Sequence, residues 1–224
     1  MKRCTAGYLP QKRLYQGIAQ LSSMVKGKIL DLGCGNKPYK ELFEHTDYIG
    51  IDTFNSGHPH QDSAADIYYD GHKMPFEDNS FDAIICFQVV EHISDINLTL
   101  SECKRVLKKE GLLLITAPLL WPEHERPYDF RRWTSIGLKA HMEEAKFDIL
   151  RHSLLGTPYD VITAFALDHL WSDSPGKWRS KVLKIISWIA NTTTEYINRF
   201  DPRSFEEGRT TYFDNIILCK SRDR

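Results

Sequence analysis

Short apolar runs alternate with helical segments along this chain of 224 residues, and the alternation limits the folds that the chain can adopt. Strands that alternate with helices indicate βαβ units, in which a mostly parallel sheet is covered by helices on both faces. We therefore predict an α/β, doubly wound fold. The predicted strands are residues 28–32, 48–52, 81–87, 112–116, 147–153 and 212–219.

The spacing of apolar residues also places helices between these strands. A helix is predicted at about residues 11–25, where apolar residues recur every three or four positions. A second helix begins at residue 96 and is expected to be closed by the cations and glycine of Lys108–Gly111. Residues 156–211 interrupt the alternation, but a segment of this size is near the lower limit for independent folding. We interpret residues 1–224 as a single domain with a helical insertion at about 156–211.

The composition excludes several classes of protein. Apolar residues make up 42% and charged residues 26% of the chain, as in ordinary globular proteins. The net charge of −1 provides no field that would draw the whole molecule to nucleic acid. Five scattered cysteines without a C-x-x-C pair are typical of reduced thiols. With no secretory signal and no apolar run of bilayer length, a cytoplasmic protein without a transmembrane segment is expected.

Two glycines beside an acid form the clearest chemical signal. Gly33 and Gly35 lie where a predicted strand turns into a loop, so the backbone can bend sharply and a ligand can approach the main chain. Asp31 ends that strand, where its carboxylate can face a cationic group. Asp52 ends the next strand, 19 residues beyond Gly33, where an acid can accept both hydroxyls of a ribose. The pattern predicts a nucleoside site.

A nicotinamide dinucleotide site is the first alternative, and it would use the same acid at Asp52. Such a site expects a third glycine for close packing of the helix beside the pyrophosphate. Pro38 stands at that position here. The departure argues against a nicotinamide-dependent oxidoreductase and favours a nucleoside ligand without a phosphate.

Four blocks of sequence, taken in order, extend this interpretation: ILDLGCGNKPY, YIGID, DGHKMPFEDNSFDAIICFQVVEHI and RVLKKEGLLLITAPL. Over about residues 25–150 the chain resembles a class I S-adenosylmethionine-dependent methyltransferase of the type-11 group. The resemblance implies a Rossmann-like, mostly parallel sheet of seven strands with the last strand antiparallel. It also implies S-adenosylmethionine as cofactor, S-adenosylhomocysteine as product, and O- or N-methylation of a small molecule or glycan, such as a surface-polysaccharide sugar or a natural product.

The resemblance assigns cofactor contacts to residues of these blocks. Asp31 would meet the methionine amino group, Asp52 the ribose and Asp70 the adenine amino group. Cys34 is counted with the loop but is given no chemistry of its own. The complete set argues against the second alternative, an inactive methyltransferase-like binding partner. The expected cofactor-binding residues are Asp31, Gly33, Cys34, Gly35, Asp52, Asp70, Gly71 and Gln88.

The segment at residues 118–134 is where we expect the methyl acceptor to be handled. It resembles the H-E-x-P-Y-D-F-x-R-x-T segment of one branch of the family. The members of that branch are often involved in sugar or polysaccharide modification. His124 is the predicted base, because a histidine titrates near neutral pH. Asp129 and Arg131 are the other candidate catalytic residues, which would orient the acceptor or close the loop. The alternative is a salt-bridged lid whose polar residues satisfy one another.

Three other histidines are given no catalytic or metal role. His58 and His60 resemble a metal pair, but no third residue stands at ligand spacing, so no metal is predicted. His92 follows Glu91 and is interpreted as a packing or hydrogen-bonding residue at the start of a helix.

The insertion contains an amphipathic segment at residues 177–200, with cations at its start. One interpretation is a helix that rests on a membrane surface or caps the acceptor pocket. The interpretation that we favour from sequence is a helix packed on the domain or a seam between two copies in a homodimer. Apart from these surfaces, a small-molecule or glycan acceptor is the expected partner.

Overall fold

The computed structural model describes residues 1–44, 47–54, 63–172, 177–200 and 210–222 of the chain. The strands are β1 (Lys28–Leu32), β2 (Asp47–Thr53), β3 (Ile67–Tyr69), β4 (Phe81–Phe87), β5 (Leu107–Pro118), β6 (Phe147–Leu155) and β7 (Asp214–Ser221). The helices are α1 (Tyr8–Ser22), α2 (Ile96–Val106), α3 (Ser135–Glu144), α4 (Pro158–Trp171) and α5 (Lys177–Phe200), with a 3₁₀ helix at Lys40–Phe43.

The strands form a seven-stranded sheet in the order β3-β2-β1-β4-β5-β7-β6. β1 is parallel to both β2 and β4, with Leu30 opposite Ile49 on one side and Ile84 on the other. Strand order therefore reverses between β1 and β4, and in such sheets ligands bind beyond the carboxyl ends of the strands at this point. Six strands run parallel and the last is antiparallel, which confirms the predicted fold class.

Helix α2 shows how the apolar period builds the core of the sheet. Its side chains at Ile96, Leu100, Cys103 and Val106 are buried, and they recur every three or four residues. They join a cluster that includes the fully buried Leu113 of β5. Burying one such aliphatic side chain stabilises the fold by about 1.5–3 kcal/mol, so this face holds the helix on the sheet. Asp95 caps the helix by accepting a hydrogen bond from the backbone of the first turn.

The end of α2 differs from the prediction. The helix ends at Val106, and Leu107 is already extended, with φ −70° and ψ 138°. Leu107 pairs with Phe81 in parallel register, so Lys108–Gly111 lies in β5. The prediction that these residues close a helix is therefore wrong. Pairing of a buried leucine with the neighbouring strand outweighs the local signal of cations and a glycine.

The chain divides into two compact units. The helical unit comprises Met1–Gly17 and Leu154–Asp214, and the sheet unit comprises Ile18–Ser153 and Asn215–Arg224. The predicted N-terminal helix is α1, and the predicted insertion contains α4 and α5. The interpretation of residues 1–224 as one domain stays a prediction. None of the described helices combines the length and the apolar character needed to cross a bilayer.

Helix α5 packs within the helical unit through a mostly polar stripe, and whether it also forms a seam between two copies stays a prediction. Its buried stripe is Leu183, Ser187, Asn191, Thr194 and Asn198, and each of the four polar residues makes a side-chain hydrogen bond within the helical unit. Asn191, for example, donates to the backbone oxygens of residues 3 and 5 at 2.7 and 3.0 Å. The apolar period instead faces outward. We call it the α5 face: Trp178, Val182, Ile185, Ile186, Trp188, Ile189, Tyr196, Ile197 and Phe200.

Candidate active site

A cavity of about 510 Å³ opens in the sheet unit where strands β1 to β4 end. Cavities of roughly 300–1,000 Å³ are typical of small-molecule and cofactor sites. Its position at the reversal of strand order is where an open α/β sheet binds ligands. The eight residues expected to bind the cofactor all line this cavity: Asp31, Gly33, Cys34, Gly35, Asp52, Asp70, Gly71 and Gln88.

The glycine loop after β1 gives the cavity a wall of exposed main chain. Gly33 and Gly35 have φ angles of 69° and 48°. A Cβ at Gly33 would lie 2.5 Å from the side chain of Val89, whereas a Cβ at Gly35 would meet nothing within 4 Å. Glycine therefore serves close packing at the first position and backbone conformation at the second. Between them Cys34 is buried, and burial raises the pKa of its thiol to about 12, so the thiol stays protonated.

Asp31 is a buried acid at the end of β1. The hydroxyl of Tyr48 donates a hydrogen bond to its carboxylate. Burial raises the pKa of Asp31 to about 7, although the hydrogen bond from Tyr48 acts in the opposite direction. An opposite charge nearby favours the ionised form of a carboxyl group. This position is therefore suited to an ammonium group, which would stabilise the carboxylate.

Asp52 and Asp70 present carboxylates in more open surroundings. Asp52 accepts hydrogen bonds from the backbone N–H groups of Gly35, at 3.1 Å, and Thr53, at 2.8 Å. Asp70 is exposed, and its Oδ1 accepts from the backbone N–H of His72 at 2.8 Å. Backbone hydrogen bonds hold the pKa of Asp70 below its usual value, so it is ionised at neutral pH. Both acids can accept hydrogen bonds from a ligand in the cavity.

Gln88 follows β4 with a positive φ of 56°. Its backbone N–H and its Nε2 both donate to the hydroxyl of Thr116, at 3.0 and 3.1 Å. Thr116 belongs to the neighbouring strand β5, so the sheet fixes the direction of the glutamine side chain at the cavity wall.

The segment proposed to act on the acceptor contributes His124, Glu125, Tyr128 and Phe130 to the cavity lining. The other two candidate catalytic residues take a different place. Asp129 and Arg131 are absent from the lining.

Asp129 and Arg131 instead hold the segment in position. Both oxygens of Asp129 accept from the guanidinium of Arg132, at 2.5 and 2.7 Å, and one of them also accepts from the backbone N–H of His124 at 2.9 Å. Arg132 keeps the pKa of Asp129 well below its usual value. Arg131 donates to the carbonyl oxygen of Ser94 at 2.8 Å. Asp129 is therefore salt-bridged, as the lid interpretation expects, whereas Arg131 binds a backbone carbonyl, and a catalytic role for either residue stays a prediction.

His92 is a cavity residue that the sequence interpretation missed. Its ring meets that of His124 edge to face, with centroids 4.9 Å apart and planes at 82°. Its Nδ1 lies 3.1 Å from the carbonyl oxygen of Tyr128, so it also makes the hydrogen bond expected of a structural histidine. Burial lowers the pKa of His92, which favours the neutral ring. The signal that could have found it is its place just after β4, at the ligand-binding edge of the sheet. His58 and His60 lie outside the described residues.

Comparison of the sequence with known proteins finds similarity to methyltransferases. Residues 30–115 match the family model described as a methyltransferase domain. A demethylmenaquinone methyltransferase from Thermotoga maritima is 34% identical over 107 residues, which cover 44% of this chain and 46% of the relative. The match thus spans less than half of that relative's length.

Solved structures share the fold at low sequence identity. The [4+2]-cyclase SpnF is similar with a TM-score of 0.58 and 16% identity, over 95% of this chain and 82% of the other. A phosphoethanolamine N-methyltransferase from Haemonchus contortus, solved with S-adenosyl-L-methionine, has a TM-score of 0.51 and 14% identity, over 89% and 49% of the two chains. At these identities the likeness shows the fold alone. Over residues 30–115 the chain is therefore similar to a methyltransferase domain, and its seven-stranded sheet has the fold of these solved structures.

Proposed function

We propose that this chain is an S-adenosylmethionine-dependent methyltransferase that methylates a hydroxyl or amine group of a small molecule or glycan. The observation that carries the proposal is one cavity, at the reversal point of the sheet, that is lined by the glycine loop, by the carboxylates of Asp31, Asp52 and Asp70, and by His92 and His124. The demethylmenaquinone methyltransferase similarity is consistent with a small-molecule acceptor, although it covers less than half of that relative.

The residues present fit the cofactor. Asp31 would bind the methionine ammonium, Asp52 the ribose hydroxyls, and Asp70 the adenine amino group. The open space beside Gly35 leaves room for a ligand against the main chain. When bound, the cofactor supplies a methyl group that is already activated on a sulfonium. The protein therefore needs to bind, align and exclude water rather than activate the methyl group.

The acceptor is proposed to lie against His92, His124 and Glu125, which line the same cavity. These side chains can receive or redistribute the proton that a hydroxyl or ammonium acceptor must lose. Tyr128 and Phe130 add aromatic surface against which a ring can pack. Holding two reacting groups in line can supply about 7–11 kcal/mol of the barrier reduction, so positioning is the larger part of the task.

Binding and transfer experiments separate this function from the alternatives. We expect equilibrium dialysis to show that labelled S-adenosylmethionine binds to the chain and that NADH does not. Transfer of the labelled methyl group should then be followed across hydroxyl- and amine-bearing acceptors, including sugar nucleotides and phenols. NADH binding without S-adenosylmethionine binding would favour the oxidoreductase. Absence of binding by either nucleotide would favour the inactive binding partner.

We also propose that the α5 face rests on an anionic membrane surface. Trp178 and Trp188 are 79% and 51% exposed, and a contiguous apolar face of this kind marks an interaction site. The exposed cations Arg179, Lys181 and Lys184 lie on the same helix. Its single acid, Glu195, is paired with basic side chains of the N-terminal segment. A helix with aromatic and apolar side chains on one face and cations beside them is suited to an anionic interface.

Flotation with vesicles tests the membrane proposal. We expect the chain to float with vesicles of phosphatidylglycerol and phosphatidylcholine, and to float poorly with phosphatidylcholine alone. The double variant Trp188→Ser, Ile189→Ser should lose this binding, because both side chains lie on the exposed face. A chain that ignores both vesicles but forms a concentration-dependent dimer would contradict the proposal and assign the α5 face to a second copy.

A further inference from the structure

Three side chains that can ligate a metal meet beside the cavity. One ligand atom from each of Glu91, His92 and His124 lies within 4.8 Å of the other two. Glu91 is fully buried, and both histidines line the cavity. The carboxylate of Glu125 lies beside them, 3.7 Å from Nε2 of His92 and 4.0 Å from Nε2 of His124.

Both histidines are oriented as metal ligands usually are. Nδ1 of His92 is 3.1 Å from the carbonyl oxygen of Tyr128, and Nδ1 of His124 is 3.1 Å from that of Pro122. Because a carbonyl oxygen only accepts, each Nδ1 carries the hydrogen and each Nε2 presents a lone pair. Asp129 lies 3.3 Å from Nδ1 of His124, which adds a carboxylate behind that ring. A second partner of this kind fixes ring orientation and raises ligand basicity in metal sites.

The lone pair of His92 is buried where a cation could use it. Its Nε2 has no hydrogen-bond partner among the described residues. The carboxylate oxygens of Glu91 and Glu125 lie 3.8 and 3.7 Å from this atom, too far for hydrogen bonds. Glu125 also holds a positive φ of 51°, a backbone conformation that is strained for this residue and is often found at functional sites.

We propose that Glu91, His92 and His124, with Glu125 beside them, bind one divalent transition-metal ion of the zinc type. Imidazole and carboxylate ligands suit this class of ion, and two histidines with one glutamate form a known type of catalytic zinc site. Ligand atoms of a tetrahedral zinc site lie about 3.4 Å apart, given metal–ligand distances near 2.0–2.1 Å. The ligand atoms here lie within 4.8 Å of one another, so the side chains would have to rotate to reach that spacing around an ion.

The ion would favour hydroxyl groups over ammonium groups as methyl acceptors. This inference rests on the proposed methyltransferase function. A bound cation lowers the pKa of a hydroxyl group but repels an ammonium group, so the site favours O-methylation. In the transfer, the acceptor oxygen gives its proton to solvent and forms a bond to the methyl carbon. The bond between methyl and sulfur breaks with its electron pair remaining on sulfur, and the cofactor leaves as the neutral thioether.

Cobalt and zinc titrations of the full chain test the site. After treatment with a chelator, we expect the chain to bind about one Co²⁺ with a visible absorption change, and Zn²⁺ to displace it. His92→Ala, His124→Ala and the isosteric Glu91→Gln should each weaken Co²⁺ binding at least about ten-fold. His169→Ala is the matched control, because this exposed histidine of α4 lies in the other unit. The double variant His58→Ala, His60→Ala should also bind Co²⁺ normally.

Calorimetric titration with S-adenosylhomocysteine, run on each protein, separates the possible failures. Loss of Co²⁺ binding with unchanged affinity for the nucleoside supports the site and shows that the variants are folded. A wild-type chain that binds the nucleoside but no Co²⁺ overturns the metal site and leaves the proposed function standing. Co²⁺ binding that depends on His58 and His60 but not on His92 also overturns it. A wild-type chain that fails to bind the nucleoside contradicts the proposed function itself.

Discussion

The backbone N–H of Gly35 donates to the carboxylate of Asp52 at 3.1 Å, which joins the glycine loop after β1 to the end of β2. The two residues are 17 positions apart in sequence. The backbone N–H groups of Gly33 and Cys34 also donate to the carbonyl oxygen of Ile51, at 2.9 and 3.2 Å. The loop is therefore held by β2 before any ligand binds, and the acid that is expected to bind the ribose is part of that arrangement.

This relationship predicts the effect of removing Asp52. Asp52→Ala should weaken S-adenosylhomocysteine binding ten-fold or more, because a lost hydrogen bond to a charged group costs about 1.5–3 kcal/mol. Asp52→Asn is the matched control, since its amide oxygen can still accept from Gly35. Calorimetry should rank the affinities as wild type, Asp52→Asn, then Asp52→Ala. Equal affinity in all three proteins would remove Asp52 from the cofactor site.

Cofactor binding should depend on pH through Asp31. The carboxyl group has a pKa of about 7 in the folded chain, so it is protonated and neutral below that pH. Because the ionised form binds an ammonium group, affinity for S-adenosylhomocysteine should fall as the pH drops from 8 to 6. Asp31→Asn should bind weakly and lose this part of the pH dependence. A wild-type affinity that is constant across this range would contradict the assigned role.

The same pKa also predicts a change in stability. The pKa of Asp31 is higher in the folded chain than in the unfolded chain, so the folded chain binds more protons between about pH 4 and pH 7. The carboxyl group therefore destabilises the ligand-free fold increasingly as the pH rises to about 7. Asp31→Asn should raise the Tm at pH 8 and leave it nearly unchanged at pH 4, as measured by calorimetric melting. A lower Tm for the variant at pH 8 would show that burial of Asp31 is not the dominant influence on its pKa.

The two glycines of the loop should differ in their tolerance of alanine. Both substitutions force an alanine into positive φ, at a cost of about 1–2 kcal/mol. Gly33→Ala adds a clash 2.5 Å from Val89, and overpacking of this kind costs about 1–3 kcal/mol more. Chemical denaturation should therefore show the larger loss for Gly33→Ala, with partial rescue by Val89→Ala. Equal losses without rescue would mean that the contact with Val89 does not constrain Gly33.

His124 should matter for transfer rather than for cofactor binding. His124→Ala should keep its affinity for S-adenosylhomocysteine within about two-fold while turnover falls at least about 100-fold, whether His124 takes the acceptor's proton or ligates the ion that acidifies the acceptor. Release of S-adenosylhomocysteine from labelled cofactor measures the turnover once an acceptor is found. His169→Ala, which changes an exposed histidine of α4 in the helical unit, provides the comparison. Equal turnover in His124→Ala would make the histidine a bystander.

The sequence predicted the sheet and the cofactor loop well because their signals are local. A buried strand, a glycine turn and an acid at the next strand end are adjacent in the chain, and the sheet brings their ends together. β3 was not marked as a strand, because three half-buried residues are too few to show a period. The end of α2 was misplaced for a different reason: pairing of Leu107 with Phe81 is a long-range contact.

The acceptor segment and α5 show what sequence alone could not resolve. Asp129 looked catalytic beside His124, yet it binds Arg132, and the sequence does not reveal which way each side chain points. His92 was set aside because its meeting with His124 depends on the fold of two distant segments. In α5 the sequence showed the helical period but not which face of the helix is buried. Polar partners in the helical unit bury Asn191 and leave the apolar residues exposed.

A crystal structure of the chain with S-adenosylhomocysteine tests the central claim most directly. We predict density for the nucleoside in the 510 Å³ cavity, with its ribose at Asp52, its ammonium at Asp31 and its adenine amino group at Asp70. An empty cavity at saturating nucleoside, or density bound elsewhere with these three acids turned away, would contradict the account.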